Sequence, residues 1–272
     1  MLTLKRLAAG AALVLAVAMA PCADATSLGV QPLFVEMTPT QSKTIRVSNS
    51  AENDTPVEVL IYRRDIDADG NQVRIPADDD FIVFPPQATI GSGKQQAFRI
   101  RPVSPDTDLS SSYYVSFTQI PELLEDTGEG VQLQVIFAFD AAVHIVPSRA
   151  KSDAQIKSVA LATMSVERDT GETTQGASGA QAPVVETVTI PAVAVEMENA
   201  GNKYLYLHHQ VYKATLTDEA GETRTVSWTS EEVRNSQDIL LVEPSERRRF
   251  KLPLPDGTVA KSVSLDVRPR DR

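Results

Sequence analysis

Cysteine is nearly missing from the 272-residue chain: Cys22 stands alone, inside an N-terminal apolar segment. Histidine is almost as scarce, limited to His144 and the adjacent His208 and His209, and Trp228 is the sole tryptophan. No Cys/His set with zinc spacing can be assembled, and no Gly-x-Ser-x-Gly elbow or phosphate loop occurs. Adjacent strand residues point to opposite faces, so His208 and His209 make a poor bidentate metal site, and His144 between Val143 and Ile145 reads as a residue at a sheet surface. Nothing supports an enzyme, and no cofactor or metal is expected. Helical periodicity is also nearly lacking, and beyond the first 25 residues no apolar run approaches the length of a transmembrane segment. The net charge of −10 weighs against nucleic acid and anionic membrane as partners.

The one apolar run that is present is a processing signal. Lys5 and Arg6 precede apolar residues 7–20, and Ala23, Asp24 and Ala25 have the small-x-small form of a signal peptidase site. Pro21 before Cys22 argues against a lipid anchor. Residues 1–25 are therefore expected to be a signal peptide and the chain to be exported, with a leader that points to the periplasm. Cleavage would remove the sole thiol and take the net charge from −10 to −11. About 247 residues would remain, stabilised without disulfides and sufficient for two ordinary domains.

Short β-branched and aromatic runs at 44–48, 57–62, 81–84, 97–101, 113–119 and 131–146 alternate with turn signals such as Asn53-Asp54, Asp69-Gly70-Asn71 and Pro85-Pro86. This spacing predicts an all-β chain whose first domain, residues 26–147, is an immunoglobulin-like β-sandwich. Polar residues 148–152 read as a linker. A second β-sandwich domain follows over 153–272, with predicted strands at 156–166, 184–197, 204–216, 223–228, 239–242, 249–252 and 262–267. Residues 167–183, rich in Gly, Thr, Ser, Gln and Ala, read as a surface loop.

Within the segment 131–139 the large apolar residues Val131, Leu133, Val135, Phe137 and Phe139 alternate and so share one strand face. Ile136 and Ala138, on the other face, are placed to serve a sandwich core. Two readings stand open: an ordinary buried strand, or a strand that offers a row of anchors to a partner chain. Asp65, Asp67, Asp69 and Gly70 imitate the start of a calcium loop, but Pro76 occupies the position of the bidentate glutamate, and a hairpin turn is the preferred reading. Trp228 reads as a core residue.

These features resemble the PapD-like periplasmic chaperones of the chaperone–usher pilus pathway. The stretch Phe81-Ile-Val-Phe-Pro85-Pro86 followed by Ile90-Gly-Ser-Gly-Lys94 and Arg99 is similar to that family's "PP…L-x-P-G-x-x-x-x-x-R" pattern. Tyr113, Ile120 and Pro121 fall in an equivalent of its "Y…EIP" segment, and 131–146 followed by Pro147 is similar to its long final strand. Val30, Pro32 and Phe34 lie in a likeness of its first strand. The second half matches only in outline, through Asn199, Pro244 and Pro253 with their neighbours.

The resemblance implies a boomerang of two immunoglobulin-like domains that binds pilus or fimbrial subunits by donor-strand complementation and delivers them to an outer-membrane usher. Leu133, Val135 and Phe137 would then fill the subunit's groove, with Val131 and Phe139 as extra anchors. Burying three such side chains contributes on the order of 5–9 kcal/mol before association costs. A pilin-like, adhesive or carbohydrate-binding sandwich is the alternative. The family's cationic anchors for the subunit carboxylate are replaced by Phe34 and Ala142, and Val146 stands at its usual interdomain arginine. The chain thus resembles a divergent, archaic or alternate branch. Arg99 and Arg101, two apart on one strand face, are the candidate replacement anchor.

Overall fold

Alternating side chains build the first sandwich strand by strand in the computed structural model, which describes residues 28–103, 105–106, 108–121, 136–175 and 181–270. Its strands are β1 (Leu28–Gln31), β2 (Phe34–Met37), β3 (Lys43–Asn49), β4 (Thr55–Ile66), β5 (Gln72–Pro76), β6 (Phe81–Phe84), β7 (Gln87–Ile90), β8 (Gln95–Pro102), β9 (Ser111–Gln119) and β10 (Ala138–Ile145). One sheet runs β1-β3-β8-β6 and the other β2-β10-β9-β4-β5, with β7 also on β4. Ile45, Val47, Phe98 and Ile100 from the first sheet meet Val57, Ile61, Val115, Phe117, Val143 and Ile145 from the second. Period-two alternation places each set on one face, as an aligned sandwich requires.

Strand β4 shows where this domain meets the next. Its odd-numbered residues Val57, Val59 and Ile61 are buried in the sandwich, but the last buried positions are the even-numbered Arg64 and Ile66. The even face is the outside of the sheet, so burial there reports a covering from another domain. Ile66 indeed clusters with Val146, Tyr204 and Leu241, the last two from the second domain.

That domain contains β11 (Ala154–Gln175), β12 (Gln181–Asn199), β13 (Leu205–Tyr206), β14 (Gln210–Thr217), β15 (Thr223–Ser227), the short helix α1 (Ser230–Asn235), β16 (Leu241–Val242), β17 (Arg247–Pro253) and β18 (Ser262–Pro269). Sheets β11-β12-β17 and β15-β14-β18 enclose Val193, Val195, Met197, Tyr212, Leu216, Phe250 and Leu252. Trp228 is buried with them, and its indole N–H donates to the Pro253 carbonyl at 2.6 Å. A capping box between Thr229 and Glu232 starts α1 by satisfying its free N–H groups.

Three expectations need correction. The expected loop at 167–183 is largely paired β-hairpin: Glu167 faces Thr187, Arg168 faces Glu186 and Thr173 faces Pro183 across β11 and β12. Its residues 167–174 are exposed on both faces, so they lack the apolar alternation that marks a half-buried strand. His208 and His209 lie in a 3-10 turn rather than a strand, which brings their rings to 4.2 Å. His144 is not at a free sheet surface; the second domain covers it completely.

The linker is held by the turn at Asn199–Lys203. Asn202 N–H and Lys203 N–H both donate to the Lys151 carbonyl, at 2.9 and 3.1 Å, and Ala200 N–H donates to Asp153 at 2.8 Å. A side chain at Gly201 would collide with the Lys151 carbonyl oxygen and, at 2.6 Å, the Asp153 nitrogen. Both obstacles are backbone. Gly201→Ala is therefore expected to lower stability by about 1–3 kcal/mol, as overpacking does. Chemical denaturation would check this, and an unchanged midpoint would show that the linker shifts freely.

Candidate functional site

The outer face of the β2-β10-β9-β4 sheet forms the floor of the domain junction. Strands β2 and β10 run parallel, setting Phe34 beside Ala142 and Glu36 beside His144. On the next strand Ser112 lies beside His144, and Tyr114 beside Ala142. From the second domain, Lys203 Nζ reaches Glu36 at 2.9 Å and the Tyr204 hydroxyl donates to the same carboxylate at 2.8 Å. The Tyr204 backbone N–H donates to Ser110 Oγ at 2.7 Å, and Ser110 N–H to the Asn202 carbonyl at 3.0 Å.

His144 is the hub. Its Nδ1 lies 2.7 Å from Ser112 Oγ, its Nε2 lies 3.0 Å from the Tyr206 hydroxyl, and its ring stacks on Tyr204 at 4.1 Å. Burial holds its pKa down to about 3, assisted by the positive charges of Arg64 and Lys203. The imidazole is therefore neutral, able to donate from one nitrogen and accept at the other. Nearby Glu243 has both carboxylate oxygens buried without a hydrogen-bond partner among the described residues. Desolvation pushes it up to about 7, against weaker pulls from Ser112 and Arg64.

A second contact joins the domains at the calcium-like motif. Asp67 accepts from the backbone N–H groups of Asp69 and Asn71, each at 2.9 Å, and so closes the β4–β5 hairpin turn. Arg249 binds this turn twice, its backbone N–H to Ala68 and its guanidinium to Asp69, both at 2.6 Å. The adjacent Arg248 is 2 % exposed, with one nitrogen bonded to the Leu241 carbonyl. Desolvation holds its pKa down. The acidic turn is a docking element.

Beside the junction opens a cleft of about 1030 Å³. Phe34, Tyr204, Tyr206 and His209 give it an aromatic wall, and Lys151, Lys203 and Arg270 give it positive charge. His208 Nδ1 and Gln210 Oε1 are buried there without partners among the described residues. Burial, with the His209 ring next to it, lowers the His208 pKa to about 4.

The predicted site residues are dispersed. Val131, Leu133 and Val135 lie outside the described residues. Phe137 and Phe139 are half-buried, and Phe139 packs on the first-domain core while Ala138 and Ile136 are exposed. The expected division of faces is thus reversed, because alternation groups residues without telling which side meets the core. Arg99 and Arg101 do share an exposed face, but on the β1-β3-β8-β6 sheet. Phe34 and Ala142 are on the outside of the opposite sheet, so the arginine pair cannot reach the junction they mark. Sequence reading missed Glu36, Tyr204, Tyr206 and Glu243; the alternating Tyr204-Leu205-Tyr206 was the available signal. Val146, at the family's interdomain arginine position, joins the apolar cluster instead.

Two sandwiches joined through a fixed polar and aromatic junction define a two-domain immunoglobulin-like protein. Residues 29–151 match the family described as pili and flagellar-assembly chaperone, PapD N-terminal domain. The match spans the first domain, which is thus similar to the N-terminal domain of the PapD-like chaperones. The structure is similar to a chain of the chaperone–tip adhesin complex of CFA/I fimbriae biogenesis, with TM-score 0.53 and 10% identity, covering 90% of this chain and 100% of that one. It is also similar to the class 5 fimbriae chaperone CfaA, with TM-score 0.51 and 10% identity over 89% of this chain and 98% of that one. A chain of the Salmonella enterica SafA pilin–SafB chaperone complex aligns at TM-score 0.48 and 16% identity, covering 89% and 96%. No curated protein matches the chain. Among the described residues no helix is long and apolar enough to cross a membrane.

Proposed function

We propose that the chain is a periplasmic chaperone that holds pilus or fimbrial subunits by donor-strand complementation and passes them to an outer-membrane usher. The observation that carries this reading is the family match over 29–151, which includes the whole apolar row at 131–139. Leu133, Val135 and Phe137 are the anchors, flanked by Val131 and, at the core edge, Phe139. Co-expression with candidate subunits tests it. A soluble one-to-one complex is expected, and failure of every subunit to be rescued would remove the proposal.

The subunit's terminal carboxylate needs a charged partner where it is buried. With Phe34 and Ala142 at the usual anchor positions, the cations of the cleft come from Lys151, Lys203 and Arg270 of the linker and second domain. Lys203 is committed to Glu36. The Lys151→Ala, Arg270→Ala double variant is expected to weaken subunit binding about tenfold or more, the scale of losing a buried charged hydrogen bond. Titration of purified complex by calorimetry would measure it; unchanged affinity would place the carboxylate elsewhere.

A further inference from the structure

The outer face of the β1-β3-β8-β6 sheet carries an apolar and cationic block that the junction does not use. Phe84 is 73% exposed and Ile82 49%, both on the edge strand β6. In the antiparallel register Phe84 lies opposite Arg99 and Ile82 opposite Arg101. Residues directly opposite share a face, so the four side chains form a two-by-two patch. Arg46 extends it on β3: it pairs with Ala97, two residues along β8 from Arg99, and it is exposed. Val103, 49% exposed, continues the apolar side.

These arginines are unlike others in the chain. Arg74, Arg168, Arg247 and Arg249 all form ion pairs. No ion pair or hydrogen bond engages the guanidinium groups of Arg46, Arg99 or Arg101 among the described residues. In the acidic turn just before β6, Asp78 accepts from Ile61 N–H and Asp80 from the Tyr113 hydroxyl. Among the described residues these like charges have no counter-charge, and beside an exposed phenylalanine they suit a partner that brings carboxylates and buries the ring.

We infer that this face is a second docking surface, which takes an acidic polypeptide segment carrying apolar side chains. The partner lies across the face rather than adding a strand, because β6 is four residues long and is followed at once by Pro85 and Pro86. An anionic lipid surface would match the charge, but a chain of net charge −10 is repelled from such a surface except at this patch. A polypeptide needs only the patch. The face lies on the opposite sheet from β10, into which the 131–139 row leads, so both partners fit at once.

The test uses the full chain and a fluorescein-labelled ten-residue peptide of glutamate, leucine and serine, followed by anisotropy. Binding that falls with salt is expected, and the glutamine analogue should bind at least about tenfold more weakly, as should the Arg99→Ala, Arg101→Ala and the Phe84→Ser variants. All three positions are exposed, so folding should survive, and circular dichroism would verify it. The Leu133→Glu, Val135→Glu variant should keep full peptide affinity, which separates this surface from subunit binding. Absence of peptide binding, or affinity unchanged in the arginine variant, overturns the inference. So does arginine-dependent binding of phosphatidylglycerol vesicles without binding of the peptide.

Discussion

The Leu133→Glu, Val135→Glu double variant is expected to lose the subunit complex entirely while unfolding at the same temperature as the parent chain. Each side chain contributes about 1.5–3 kcal/mol when fully buried in a partner's groove. Losing two removes about 3–6 kcal/mol, at least a hundredfold in affinity. The loss is larger in practice, because a glutamate forced into an apolar groove must be desolvated without a partner. Stability should be spared because, among the described residues, Ile45, Val47, Phe98, Phe117 and Val143 already form a fully buried cluster packed on one another. Co-purification with the subunit and thermal unfolding of the variant alone are the two readouts. A variant that fails to fold would assign Leu133 and Val135 to the core and leave the ordinary-strand reading in force. Retained complex formation would remove the row from the binding machinery.

How far the sequence revealed this architecture depends on whether a signal is local. The alternation of Val57, Val59 and Ile61, or of Tyr113, Val115 and Phe117, is dictated by the strand period and was legible at once. The hairpin at Asp67–Asn71 was likewise written in its turn residues. What it docks on was not, since Arg249 lies 180 residues away from Asp69. The same limit hid the junction. Phe34 and Ala142 become neighbours only through the parallel pairing of β2 with β10, and Glu36 meets Tyr204 only across the domain boundary. The β11–β12 hairpin arm escaped for a different reason. Both its faces are solvated, so its composition is that of a loop although Thr170, Thr173, Val184 and Val185 all suit a strand. Alternation also grouped Phe137 with Phe139 correctly while assigning the core to the wrong side of the strand.

The Glu243→Gln variant is expected to become markedly more acid-sensitive than the parent chain. Glu243 sits at the junction with a pKa raised from 4.5 to about 7 by desolvation. The folded state therefore binds its proton more tightly than the unfolded chain does. Its contribution to stability is complete below about pH 4.5 and is lost as pH rises through 7. His144 runs the other way. Its pKa is lowered from 6.5 to about 3, so its contribution is present above 6.5 and is lost as pH falls toward 3. His208, lowered to about 4, adds to that acid-side loss. Between pH 4.5 and 6.5 the carboxyl opposes the histidines in the parent chain, and glutamine, which does not titrate, removes the opposition. The stability difference between variant and parent should thus steepen toward acid by about 1.4 kcal/mol per pH unit, or roughly 2–3 kcal/mol across the window. Above pH 7 the order should reverse, because the parent then holds an ionised carboxylate whose desolvation outweighs the pull of Ser112 and Arg64. His144→Gln should flatten the same profile by a similar slope. Urea denaturation of the three proteins at half-unit pH intervals would decide it, and parallel profiles for parent and Glu243→Gln would show that Glu243 is solvated at the junction.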